Sequence, residues 1–255
     1  MLLTVLYSTL FRIRTIEVDF VSGNLDYTQS EIVNASKIKT NSRILMLDKQ
    51  KAIDNIENKF ADIQVIQIKT CSISKIEIRV KKREKLYYSE IETEGTKKFF
   101  IFDKDLKVVD IVQGSLIVSD YIKLDAEAIQ IDENTKLCDF VGTEKTKQIL
   151  ACFYESAFRT IPMSEEQLSE NKIHTEIATK IKSVDLVINE EINRIIVTTF
   201  DNYVFDIMTP EQELARKLNI CYSAKQTNEL KNNPHKITIY SDINNEEHII
   251  FTKLS

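Results

Sequence analysis

Residues 11–83 contain five amphipathic segments whose periods run strand, helix, helix, strand, strand, an order that restricts this stretch to a small α+β unit. Ile16, Val18 and Phe20 alternate with Glu17 and Asp19, so one face of the first strand meets a core and the other meets water. Ser22, Gly23 and Asn24 then supply turn chemistry. Thr28 and Glu31 have the spacing of a capping box, in which hydroxyl and carboxylate each take a free amide of the first turn; this predicts a helix through about Ser36. Asp48 is placed to cap a second helix that stops near Phe60, with Ile53, Ile56 and Phe60 on one buried stripe. Ile66 with Ile68, and Ile76 with Ile78 and Val80, predict two strands joined across Thr70, Cys71 and Ser72 and paired antiparallel.

Particular residues within that order carry a resemblance. Ile16 to Val18, Val21-Ser22-Gly23-Asn24, Thr28 to Ile32, Leu47-Asp48 and Ile76-Glu77-Ile78-Arg79-Val80 follow one another as in the POTRA domain of the FtsQ/DivIB family of bacterial cell-division proteins, which the chain resembles. Two positions depart from that pattern. Lys82-Arg83-Glu84-Lys85 stands where the family has a charged Glu-Arg-x-Pro tail, and Ser72 and Ser74 lie where a proline is common. The resemblance implies three parts: a partial membrane anchor over 1–11, a POTRA-like β-α-α-β-β domain over 12–83, and a mixed, sheet-rich β domain with packed helices over 84–255. The fold class is α+β.

Charge is divided along the same line. Residues 1–83 hold 14 Lys and Arg against 9 Asp and Glu, and the remainder holds 20 against 30. The cations of the first part are scattered along strands and helices and read as a solvated face, with an anionic membrane surface as the alternative. Without a basic stripe interleaved with exposed aromatics, nucleic acid is not an expected partner. Residues 1–11 are apolar but cover only half of the roughly 20 residues that cross a bilayer as a helix. They also lack the basic flank and small-residue cleavage site of a secretory signal. Because the run leads without a linker into the first strand, we expect the outer half of a single transmembrane anchor; a buried N-terminal segment of a soluble protein is the alternative.

After residue 83 the strand period dominates. Residues 86–91 and 97–102 flank Glu94-Gly95 as a hairpin, 108–112 form a third strand, and 116–124 add another. An amphipathic helix spans 144–161, with Leu150, Phe153, Ala157 and Ile161 on one face and Pro162 ending it. Residues 163–180 read as a polar loop or weak helix. A second hairpin joins 183–188 to 194–200, and the chain turns at Asp201-Asn202 into 203–207. Thr209, Pro210 and Gln212 have the spacing of a capped helix start, followed by Leu214, Leu218 and Cys221 on one stripe. Strands 236–240 and 248–252, around Asn244-Asn245, close the chain.

The chemistry is as informative for what is missing. His174, His235 and His248 are the only histidines, and none sits at helical spacing from a second ligand, so no metal is expected. Cys71, Cys138, Cys152 and Cys221 are widely spaced without a Cys-x-x-Cys pair, which argues against a zinc or redox site; Cys152 and Cys221 fall on apolar helix faces and read as buried free thiols, with disulfides outside the cytoplasm as the alternative. With 4 glycines in 255 residues there is no phosphate or dinucleotide loop, and no Gly-x-Ser-x-Gly elbow occurs. No cofactor, small-molecule substrate or catalytic residue is therefore assigned. The resemblance implies a non-enzymatic divisome scaffold, single-pass in the cell membrane with its bulk outside the cytoplasm at the division septum. It would bind partners resembling FtsL and FtsB/DivIC and help regulate septal wall synthesis. It also points to the C-terminal strands as the docking edge, with Ile237, Ile239, Tyr240, Ile249, Ile250 and Phe251 as partner-binding residues. Two alternatives are a POTRA-containing assembly or transport module and an enzyme of unrecognised type.

Overall fold

The computed structural model describes residues 11–21, 26–93, 95–158, 180–189, 192–227, 230, 233–241 and 246–254. The first of its two compact units is built on the chain up to Glu84, the second on the bulk of the remainder.

The first unit runs β1 (Thr15–Phe20), α1 (Gln29–Ser36), α2 (Lys49–Glu57), β2 (Ile63–Thr70) and β3 (Lys75–Lys82). Its sheet has the order β1-β3-β2, with β1 parallel and β2 antiparallel to β3. The last strand is thus central, and Ile76, Ile78 and Val80 are fully buried on it. Both helix starts form as the sequence predicts. Glu31 N donates to Thr28 Oγ1 at 3.3 Å while Thr28 N donates to Glu31 Oε2 at 2.8 Å, and Lys51 N donates to Asp48 Oδ1 at 3.0 Å. Helix α1 ends at Lys37, in the left-handed region at φ 56°. Ile32 and Ala35 of α1 and Ala52 and Ile56 of α2 cover the sheet. Phe60 lies beyond the end of α2, yet it stays buried, its ring 4.5 Å from that of Tyr27.

Two details differ from the period read in sequence. Ile66 and Ile68 do not share a face: the register slips between Val65 and Gln67, so Ile66 is the extra residue of a β-bulge and is exposed while Ile68 is buried. The inner face of β2 is instead Ile63, Val65 and Ile68. In the charged tail, Arg83 is a buried clasp, its Nε donating to Ile63 O at 2.8 Å and its Nη2 bonding Glu57 Oε2 at 2.5 Å. The turn at 22–24 lies outside the described residues, as does most of the proposed anchor. Among the described residues no helix is long and apolar enough to cross a membrane.

The second unit contains β4 (Tyr87–Thr93), β5 (Thr96–Phe102), β6 (Val108–Gln113), β7 (Ile122–Leu124), α3 (Glu144–Phe158), β8 (Ile181–Ile188), β9 (Asn193–Thr199), β10 (Val204–Met208), α4 (Leu214–Lys225), β11 (His235–Ser241) and β12 (Glu247–Lys253). These strands form one nine-stranded sheet, β12-β11-β10-β9-β8-β7-β4-β5-β6. Both expected hairpins form, β4 with β5 and β8 with β9. Their union depends on β7, three residues long, which pairs parallel to β4 on one side and to β8 on the other. Residues 116–124 therefore give a 3-10 turn at Val118–Asp120 and this short strand rather than one long strand. Between β10 and β11 the crossover helix α4 again makes the pairing parallel. Helices α3 and α4 pack on each other and on the sheet face that carries Val184, Leu186, Ile195, Val197, Phe205, Ile207, Ile237 and Ile239.

The start of α4 corrects the expected cap. The helix begins at Leu214, after Glu213 in the left-handed region at φ 50°, not at Pro210. Thr209 caps nothing: its Oγ1 donates to Met208 O at 2.8 Å, and buried Lys217 reaches back to Met208 O at 3.0 Å and Thr209 Oγ1 at 3.1 Å. A cationic side chain that satisfies the preceding strand end overrode the local capping signal. Helix α3 starts as expected; its predicted end at Pro162, like the loop at 163–180, lies outside the described residues.

Candidate functional site

The nine-stranded sheet stops at β12, whose seven residues pair in unbroken register with β11, from His235 opposite Lys253 to Ser241 opposite Glu247. No other strand pairs with β12 among the described residues. One row of its amides and carbonyls therefore faces away from the sheet. Three consecutive apolar side chains stand on it, Ile249, Ile250 and Phe251, exposed by 41%, 47% and 49%.

The register explains that exposure. Phe251 faces Ile237 and Ile249 faces Ile239, so both lie on the helix-covered face, yet they extend past the cover that buries their β11 neighbours completely. Ile250 faces Thr238 and lies on the opposite face. Of the six positions predicted for partner contact, only these three lie on the edge. Ile237 and Ile239 are corrected: fully buried on the inner strand β11, paired on both sides, they support the edge from within and offer a partner no surface. Tyr240, half-buried, stacks on His248 with ring centres 5.2 Å apart, and so braces the beginning of the edge.

Charged groups that periodicity could not reveal hold the edge in place. Arg216 of α4 grips Glu247, the first residue of β12, through Nη1 and Nη2 at 2.8 Å each, and also bonds Glu213. Two strands in from the edge, on β10, the Asp206 carboxylate is 1% exposed and is shared by Arg194 of β9 and Lys236 of β11, the latter at 2.7 Å. Burial opposes ionisation of Asp206, but hydrogen bonds from Arg194 and Lys236 outweigh it and hold the carboxyl below its usual range. Three neighbouring strands are thereby cross-linked behind the edge. The signal was present in sequence only as polar residues on alternating strands; their convergence required the parallel β10–β11 register.

Among the described residues no three His, Cys, Asp or Glu side chains cluster to hold a metal. A groove of about 490 Å³ lies in the first unit, and its one carboxylate, Asp48, is occupied as the α2 cap. Asp185, pushed up by burial and by the charge of Asp125, lies on β8 outside that groove. His235 bonds the carbonyl of Asn233, and His174 lies outside the described residues. All four cysteines are free, from exposed Cys71 to buried Cys221, whose thiol burial pushes up.

Comparison with known proteins bears on the first unit. The family model for the FtsQ-type POTRA domain covers residues 11–83, the whole β-α-α-β-β unit. Cell division protein DivIB of Clostridium botulinum strain Loch Maree / Type A3 is 35% identical over 96 residues, 37% of this chain and 34% of that protein. DivIB of Clostridium botulinum strain Hall is 33% identical over a stretch of the same length. The first unit is an FtsQ-type POTRA domain, and the chain is similar over about a third of its length to DivIB cell-division proteins. The chain spans about a third of the length of each of these relatives.

Proposed function

We propose that the protein acts in bacterial cell division as a non-enzymatic scaffold, anchored to the cell membrane through the apolar residues that begin the chain. The observation that supports this reading is the β12 edge: seven residues in flat register, apolar on both faces, with an open row of backbone donors and acceptors. Such an edge accepts an extended peptide by strand addition, main-chain hydrogen bonds giving affinity and alternate side chains giving selectivity. The partners are division proteins resembling FtsL and FtsB/DivIC, and the outcome is control of septal wall synthesis. On the added strand, apolar residues at alternate positions would meet Ile249 and Phe251 on one face and Ile250 on the other.

The test is a pair of proline substitutions, Ile249→Pro and Ile250→Pro. Adjacent amides of a strand point to opposite sides, so one of the two removes an outward amide and leaves the ladder to β11 intact. That variant keeps its fold by circular dichroism and loses at least about tenfold in affinity for the partner peptide, the equivalent of 1.4 kcal/mol. If both variants fold and bind as tightly as the parent, β12 is not the docking edge.

A further inference from the structure

The first unit has a second exposed surface that the scaffold reading leaves unused. Between α1 and α2 the chain makes a loop that presents Leu45 and Met46 to solvent, 73% and 75% exposed, the two most exposed large apolar side chains among the described residues. Lys37, Lys39, Arg43 and Lys51 line the groove beside them. All four cations are exposed, and none has a carboxylate partner among the described residues. Asp48, the only acid lining the groove, is exposed and accepts from Lys51 N as the cap of α2.

The position of this loop identifies what covers it. Ile44 N donates to Phe11 O at 2.9 Å, Ile13 N donates to Ser42 O at 3.0 Å, and Arg12 pairs antiparallel with Arg43. The loop is therefore stitched to the point where the apolar N-terminal run enters the domain, within two residues of Leu45 and Met46. A run that enters a bilayer must bring the loop to its surface. Apolar tips ringed by unpaired cations are the composition of an interfacial contact with anionic lipid.

We propose that the 37–51 segment, the loop with the first turn of α2, is a membrane-surface contact, with Leu45 and Met46 dipping into the interface and Lys37, Lys39, Arg43 and Lys51 binding anionic phospholipid headgroups. The contact fixes the POTRA domain against the bilayer. It rests on the membrane anchoring proposed above and is independent of the β12 edge. Each cation near an anionic leaflet strengthens binding by about fivefold, and salt screens the effect.

The test is co-flotation of the full chain with phosphatidylcholine vesicles and with vesicles containing 30 mol% phosphatidylglycerol, the molar fraction being chosen to give roughly a physiological surface charge. Binding to the neutral vesicles reports the apolar run 1–11; the excess on anionic vesicles reports the loop. The expected excess is at least about tenfold. It should disappear when Lys37, Lys39, Arg43 and Lys51 are all changed to Gln, and shrink in the Leu45→Ser, Met46→Ser double variant. A control with Lys59, Lys69, Lys81 and Lys82 changed to Gln removes the same charge elsewhere and keeps the excess. No anionic excess, or equal losses in the loop variant and the control, overturns the contact. Loss of neutral binding alone overturns the anchor and leaves the loop standing.

Discussion

The molecule treats its sheet edges in two opposite ways. In the POTRA sheet both edges are guarded. β1 carries Glu17 and Asp19, paired with Lys75 and Arg79 at 2.7 and 2.9 Å, and β2 is broken by the bulge that ejects Ile66. At the end of the nine-stranded sheet, β12 has no bulge and places Ile249, Ile250 and Phe251 together in solvent. Charges and bulges are the usual means by which sheets avoid edge-to-edge pairing, and their absence from the middle of β12 is what supports the docking edge proposed there.

The largest effect should separate centre from edge. Ile78→Ala in β3 leaves a cavity in a fully buried site and lowers stability by about 2–5 kcal/mol, whereas Ile249→Ala stays within about 0.5 kcal/mol; urea unfolding measures both. Equal losses would mean that β12 is a packing strand and the contrast between the edges is false. Next comes the layer behind the edge. Asp206→Asn should cost about 2–3 kcal/mol at neutral pH by loosening Arg194 and Lys236. Its folded-state carboxyl is held low, so this stabilisation is complete above the unfolded value of about 3.9 and declines as pH falls through the folded value. In the Asn variant the acid limb of the stability curve should flatten; an unchanged limb would show that the carboxylate does not hold these strands.

Giving β12 the guard that β1 has is the more selective change. Ile250→Lys should weaken partner binding by about tenfold while global stability moves less than about 0.5 kcal/mol. If the partner tolerates the lysine, docking does not use that face. The smallest effect is expected at Arg216, whose bonds to Glu247 are exposed to solvent. Arg216→Ala should cost no more than about 1 kcal/mol globally, with hydrogen-exchange protection falling first in β12 and not in β10.

The POTRA unit was readable because its signals are local. The capping box at Thr28, the Asp48 cap and the alternation of 76–80 each lie within one element, and each formed as predicted. The places where sequence reading failed are those where a distant partner intervened. A bulge facing β3 turned Ile66 outward, Lys217 disarmed the Thr209 cap, and residues 116–124 kept only three residues of strand because β7 fills a gap between two hairpins. The candidate edge was legible as two apolar C-terminal segments, but not which one lay outside.

Alternation and capping, acting over two to four residues, were enough for the sequence alone to determine the α+β class and the β-α-α-β-β order. Tertiary structure decided the rest. Only the parallel β10–β11 pairing through α4 makes β12 the last strand, buries Ile237 and Ile239, exposes Ile249, Ile250 and Phe251, and brings Arg194, Asp206 and Lys236 together. Side-chain period specifies which face of a strand is apolar, but strand order is settled by how helices and crossovers cover the sheet, and that depends on contacts far apart in sequence.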